Sequence, residues 1–304
     1  MSTITGELEW WLEHNPGSKR FMQPFNYYGG KTHLAQHIIP LLPPGKIYVE
    51  PYCGAASIFW HLRETYPIVV LNDLDERVIN VFRVLQNPET FDQFCHRIFW
   101  TPYSRAEFKR AIELLESADP VERAWAFYTV TNQSISADLH QVAPGRWSRA
   151  LTVPSTQASL RWRARKTFLR RWHDRLSRVN LECRDALEVI QYWDTPQTVF
   201  YIDPPYVPET RKDANKYHHE ADIGHHQKLV EILLQIQGSA VLSGYDHPVY
   251  KPLEEAGWER REIKTFCKAA APTRKNDLKG TGRMLAKVPR VEIVWRKANE
   301  PKLL

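Results

Sequence analysis

The sequence predicts an α/β fold, a doubly wound sheet interrupted by a mostly helical insertion. Three observations predict it. Short continuous apolar runs alternate with helical patterns from residue 46 onward, and the alternation lapses between about Asn87 and Arg178. The chain has 304 residues, which suits one large domain with an insertion at roughly 150 residues per domain. The runs IYVE (47–50) and IVVLN (68–72) hold continuous apolar stretches rather than strict alternation, the mark of parallel strands covered on both faces. Asp75 can cap a helix whose Val78, Val81, Phe82 and Leu85 form one apolar stripe. Within 87–178 no strand is expected; Ser104 and Glu107 make a capping box, and a helical apolar pattern covers 124–130. Five more strands are expected at 179–182, 198–202, 240–243, 262–266 and 291–295, with a helix over 226–237. The division that follows is a sheet domain of residues 1–86 and 179–304, with the insertion at 87–178.

With 43% apolar and 25% charged residues, the chain is neither a disordered tail nor a disulfide-stapled miniature. No apolar run reaches the ~18 residues that span a bilayer, and the first twenty residues lack the pattern of a secretion signal, so a cytoplasmic protein without membrane contact is expected. Cys53, Cys95, Cys183 and Cys267 lie far apart with no CxxC pair, which argues for reduced thiols and against a zinc knuckle. His218, His219, His225 and His226 lack a carboxylate or cysteine at a ligand spacing, and no metal is expected.

The net charge of +6 is concentrated. Residues 146–178 hold ten Lys or Arg against one acid, Asp174, and residues 268–290 hold seven against Asp277. Cations along one surface release counterions from a phosphate backbone, so a polyanion is the natural partner; a solvated Arg-rich helical face is the alternative. Trp147, Trp162 and Trp172 lie among these arginines, and core packing is expected for at least two of them.

Three motifs carry chemistry. The strand ending at Glu50 runs into the small-residue turn Pro51-Tyr52-Cys53-Gly54-Ala55-Ala56-Ser57, which is expected to open a helix and lets a ligand approach the backbone. It lacks the GxGxxG spacing that seats a pyrophosphate. Asp73, at the end of the next strand, is placed to accept hydrogen bonds from a ribose. The sharpest motif is Asp203-Pro204-Pro205-Tyr206, directly after an apolar strand. Its prolines donate no hydrogen bonds, so the Pro204 carbonyl and the Asp203 carboxylate offer two acceptors for one amino group, and Tyr206 offers a flat ring for a heterocycle.

On these residues the chain resembles the DNA adenine methylase family, from Phe25 to Trp295. The resemblance rests on Tyr27-Tyr28-Gly29-Gly30-Lys31, the Glu50–Ser57 turn, Asn72-Asp73, Arg184-Asp185-Ala186-Leu187, Asp203-Pro204-Pro205-Tyr206 and Leu242-Ser243-Gly244-Tyr245, and on their order. It implies a Rossmann-like seven-stranded methyltransferase sheet with a target-recognition insertion, S-adenosylmethionine as cofactor, and double-stranded DNA as partner of a monomer or weak dimer encoded by a bacterium or phage. It further implies that Tyr27, Tyr28, Gly30 and Lys31 border the cofactor's amino-acid end. Glu50, Pro51, Tyr52, Cys53, Gly54, Ala55 and Ala56 would wrap it, Asp73 would hold its ribose, and Asp185 with Ala186 would lie against its adenine. A glycine is expected in the family at the position of Ala56. Arg146, Arg149, Arg161, Arg163 and Arg165 are the expected DNA contacts of the insertion, and Arg211, Lys212, Tyr217 and His226 are expected to border the DNA or an extruded base. Methylation of RNA or of cytosine's amine, a nicotinamide-dependent reaction and a silent DNA-binding module remain as alternatives.

Overall fold

The computed structural model describes residues 22–27, 29–62, 66–135, 147–148, 158–207, 209, 221–267 and 288–299. All seven expected strands form. They are β1 (Ile47–Glu50), β2 (Ile68–Asn72), β3 (Val179–Glu182), β4 (Thr198–Ile202), β5 (Ser239–Gly244), β6 (Glu259–Cys267) and β7 (Val288–Lys297), in the order β3-β2-β1-β4-β5-β7-β6. The first five are parallel, and β7 runs antiparallel between β5 and β6. β6 begins three residues before the expected run because Glu259, Arg260 and Arg261 do not read as a strand. Charges there are appropriate to an edge strand, where they oppose pairing with another chain.

The helices are α1 (Ala35–Ile38), α2 (Glu76–Gln86), α3 (Pro88–Trp100), α4 (Arg105–Glu113), α5 (Pro120–Gln133), α6 (Ala158–Lys166), α7 (Leu169–Leu176), α8 (Ala186–Trp193), α9 (Ile223–Gln235) and α10 (Lys251–Glu255). Asp75 and Ser104 cap α2 and α4 as expected, accepting from the backbone N–H of Arg77 and Ala106. The turn after β1 departs from expectation. It opens no α-helix, and successive turns end in a single 3-10 turn at Phe59–His61. Gly54 (φ +48°) and Ala56 (φ +52°) are left-handed, a conformation that a right-handed helix cannot continue.

Alternate strand residues feed two cores. Val49, Val70, Phe200, Ile202, Leu242 and Trp295 pack with Leu229 and Leu233 of α9. On the other face Tyr48, Leu71, Tyr201, Val241 and Val294 share one continuous core with Phe94, Trp125, Phe127 and Trp172 of the 87–178 segment. The described residues of that segment form α3 to α7 and hold no strand, only an isolated bridge between Ser134 and Trp147. Its helices therefore cover a face of the sheet. Trp162 and Trp172 are buried, and Trp147 is half-buried with its indole N–H on Gln133. Truncating a ring such as Trp172 would cost about 3–5 kcal/mol.

Candidate active site

The chain turns from building leftward (β1 to β2 to β3) to building rightward (β4 to β5) between β1 and β4, which pair with Val49 opposite Phe200. At such a reversal the connections leave in opposite directions and a crevice opens beyond the carboxyl ends of the strands. Glu50 ends β1 and Asp203 follows β4, so two acids flank that crevice, and both line a single pocket.

The pocket gathers most of the expected residues. Tyr27, Gly30 and Lys31 come from the segment before α1; Glu50, Pro51, Tyr52, Cys53, Gly54 and Ala55 from the turn after β1; Asp73 from the end of β2; Asp185 and Ala186 from the start of α8; Asp203 and Pro205 from the end of β4. Ala56, Pro204 and Tyr206 are buried and outside the lining, and Tyr28 lies outside the described residues.

Backbone geometry builds the acidic side of the pocket. The Gly54 N–H donates to Asp73 Oδ2 at 2.8 Å and the Asp75 N–H to Asp73 Oδ1 at 2.9 Å, so Asp73 pins the turn. Each carboxylate oxygen keeps a second acceptor position. Tyr48 Oη and the Phe59 N–H both donate to Glu50 Oε1, at 2.7 and 2.8 Å. Burial pushes the Glu50 carboxyl up to about 8 despite these two donors, and pushes Asp73 up to about 6 against its backbone donors.

Asp203 is differently held. Lys31 Nζ donates to both of its oxygens, at 2.7 and 2.9 Å, and lies 3.6 Å from Glu292 Oε1. Burial raises Asp203 to about 6, opposed by the Lys31 charge. Burial works against the Lys31 ammonium, but the carboxylates of Asp203 and Glu292 outweigh it and hold its pKa above the usual lysine value. Removing one partner would strand a buried charge, a loss of about 3–5 kcal/mol. The Tyr206 ring does not present the open stacking surface expected of it. It is 7% exposed, with the Lys31 ammonium 4.5 Å from its centroid, the Tyr245 ring packed at 67° and its hydroxyl donating to Glu292.

The expected DNA contacts divide. Arg161 and Arg163 are exposed on α6. Arg165 is a correction: it is 8% exposed and donates to the carbonyls of Gln23 and Pro24 and to Asn26 Oδ1, so it ties α6 to the start of the described chain. Its neighbours Lys166 and Arg175 also serve backbone carbonyls, on Phe99 and Thr101 and on Phe59 and Leu62. His226 is a second correction: it is fully buried beside α9's core face with Nδ1 2.9 Å from Tyr250 Oη, and cannot touch DNA. Arg146, Arg149, Arg211, Lys212 and Tyr217 lie outside the described residues. So do His218 and His219, while His225 and His226 contact different tyrosines; among the described residues no His, Cys, Asp and Glu group suits a metal ion.

Sequence reasoning missed two participants. His225 lines the pocket and its Nε2 lies 2.7 Å from Tyr52 Oη, a pairing across 173 residues that no local pattern signals. Glu292, 4% exposed, did leave a signal, since it is an acid inside the otherwise apolar run VEIVW.

A parallel sheet with antiparallel β7 inserted between β5 and β6, and an acid-lined crevice at its reversal point, makes this a Rossmann-like α/β domain. The chain belongs to the D12 class N6 adenine-specific DNA methyltransferase family, whose model matches residues 27–262. It is 25% identical over 223 residues to a DNA N-6-adenine-methyltransferase of Escherichia phage P1, covering 69% of this chain and 27% of that protein. It is 24% identical over 193 residues to a DNA adenine methylase of Serratia marcescens, covering 59% of this chain and 65% of that protein. The chain thus spans about a quarter of the first relative's length and just under two thirds of the second's. Among the described residues no helix is long and apolar enough to cross a membrane.

Proposed function

We propose that this chain transfers a methyl group from S-adenosylmethionine to the exocyclic amine of an adenine rotated out of duplex DNA. The observation that carries the reading is that Asp203, the head of the proline tetrapeptide, and the acid-lined turn after β1 open onto one pocket. The lining favours this cofactor chemically. Asp73, Asp185 and Asp203 supply carboxylates, Glu50 adds a carboxyl that burial keeps largely protonated near neutral pH, Asp75 is paired with Arg77, and Lys31, already paired, is the only Lys or Arg among the described lining residues. Such a wall suits a ligand bearing an ammonium, a sulfonium and ribose hydroxyls, and it would repel the pyrophosphate of a nicotinamide dinucleotide.

Tyr27, Gly30 and Lys31 would hold the cofactor's amino-acid end, Glu50 to Ala55 its centre, Asp73 its ribose, and Asp185 and Ala186 its adenine. Bound there, S-adenosylmethionine supplies an electrophilic methyl group on a positively charged sulfur. Asp203 accepts a hydrogen of the target amine, which localises the nitrogen lone pair and aims it; the second acceptor expected from the sequence, the Pro204 carbonyl, belongs to a buried residue outside the pocket lining. Positioning and fixed dipoles then supply the rate. The target base must first leave the stack, at a few kcal/mol, and the exposed Arg161 and Arg163 would contribute binding energy for that.

The test is methyl incorporation from labelled S-adenosylmethionine into duplex DNA, followed by mapping of the modified base. Methyladenine is expected, and Asp203→Ala should lower transfer by at least about 10²–10³-fold while DNA binding persists. Methylated RNA or cytosine, or retained turnover in the Ala variant, would overturn the reading.

A further inference from the structure

We propose that Glu292 on β7 is a positioning residue for methyl transfer, a second carboxylate onto which the Lys31 ammonium moves when the target amine takes over Asp203. The inference rests on the function proposed above. The acceptor site assigned to the amine is filled by the chain itself, because Lys31 Nζ donates to both Asp203 oxygens at 2.7 and 2.9 Å. An incoming amine can use Asp203 only if that ammonium gives way.

The surroundings of Lys31 limit where it can go. Its side chain is 6% exposed, so water cannot take over the charge. The Gly29 carbonyl at 3.3 Å and the Tyr206 ring face at 4.5 Å are neutral. Among the described residues Glu292, with Oε1 at 3.6 Å, is the anion within reach besides Asp203. A movement of about 1 Å would bring the ammonium to hydrogen-bond distance. Leaving a buried ammonium with no carboxylate would be strongly unfavourable, and Glu292 removes that obstacle. Its own orientation does not depend on Lys31, because Ser243 Oγ donates to Oε1 at 2.9 Å and the Tyr206 hydroxyl donates to the same oxygen. The same carboxylate therefore steadies the last residue of the tetrapeptide and borders its first.

A purely structural Glu292 would need only an acceptor oxygen, whereas the hand-over needs a charge. Glu292→Gln separates the two, since the amide oxygen can still accept from Ser243 and Tyr206. With the wild-type chain and duplex DNA, we expect Glu292→Gln to lower kcat about tenfold or more (about 1.4 kcal/mol per tenfold), with unchanged S-adenosylmethionine affinity and melting temperature. In a Lys31→Met background, where nothing needs to move, the same substitution should cost little further activity, and the two losses should not add. Should the Gln variant fold poorly, Glu292→Asp, which keeps the charge, should be the more active of the two; a structural role ranks them the other way. Wild-type kcat in Glu292→Gln, losses that multiply independently in the double variant, or an Asp variant less active than Gln would each sink the hand-over. A wild-type chain that methylates no DNA would instead sink the function, and this inference with it.

Discussion

The turn after β1 is held by backbone bonds and by the Asn72 and Asp73 side chains at the end of the adjacent strand, whereas the turn after β4 is held by side chains from distant parts of the chain. In the first, the Cys53 N–H donates to Asn72 O at 2.8 Å, the Gly54 N–H to Asp73, and Asn72 Nδ2 to Pro51 O at 2.8 Å. In the second, the prolines offer no N–H, and fixation comes from Lys31, 172 residues away, and from Glu292, 86 residues from Tyr206. The difference separates two tasks. Bonds from the adjacent strand end make a cradle of fixed shape, with the buried carboxyls of Glu50 and Asp73 among its acceptors. A centre held by buried ion pairs keeps a charge poised and can be rearranged by moving one side chain. Glu50 and Asp203 sit at adjacent strand ends, yet only Asp203 has an ammonium against it, and its pKa is correspondingly the less raised of the two.

The largest test of this contrast is Glu50→Gln. Burial raises the folded-state pKa of Glu50 to about 8, so its contribution to stability is fully present below the unfolded value near 4.5 and is lost as pH rises through 8. A glutamine cannot titrate. Between pH 4 and 9 the variant should gain on the order of 5 kcal/mol relative to wild type, read from urea unfolding at both pH values. An unchanged difference would mean that the cradle carries no buried charge.

Next in size is Gly54→Ala. The residue is left-handed at φ +48°, and an added Cβ would lie 2.7 Å from the Tyr27 ring, so a loss of about 3 kcal/mol in unfolding free energy is expected. Lys31→Met probes the other turn. On the proposed function an ionised Asp203 accepts an amine hydrogen, and removing the ammonium raises its pKa above about 6. The acid limb of the kcat profile should therefore move to higher pH by about 1–2 pH units. A limb that stayed in place would mean that Lys31 does not govern Asp203.

The smallest effect belongs to Ala56→Gly. The substitution relieves a left-handed alanine at φ +52° but removes a fully buried methyl. The two terms nearly cancel, and denaturation should show a change within about 1 kcal/mol.

Much of this molecule could be read without coordinates. Strands such as IVVLN and TVFYI announce themselves because strands covered on both faces carry continuous rather than alternating apolar runs. Asp75 and Ser104 announce helix starts because capping is a contact between near neighbours. The tetrapeptide and the turn after β1 were legible for the same reason, as each is a run of consecutive residues with limited backbone freedom. The 3-10 turn in place of a helix was not, since one of its two left-handed residues is an alanine, whose identity does not announce that conformation, and the Gly54 N–H is drawn to Asp73 at the end of the next strand.

Local chemistry along the chain was enough to set the strand and helix order, the cap positions and the identity of the acids at the crevice. Tertiary packing alone decided which basic residues face solvent. Arg161 and Arg163 do, while Arg165, two residues on, is spent on three backbone and side-chain oxygens. It alone also placed Lys31 and Glu292 around Asp203 and covered the face of Tyr206. Composition records how many charges a segment carries. Whether a charge meets water, a carbonyl or an opposite charge depends on the elements folded against it, and those come from anywhere in the sequence.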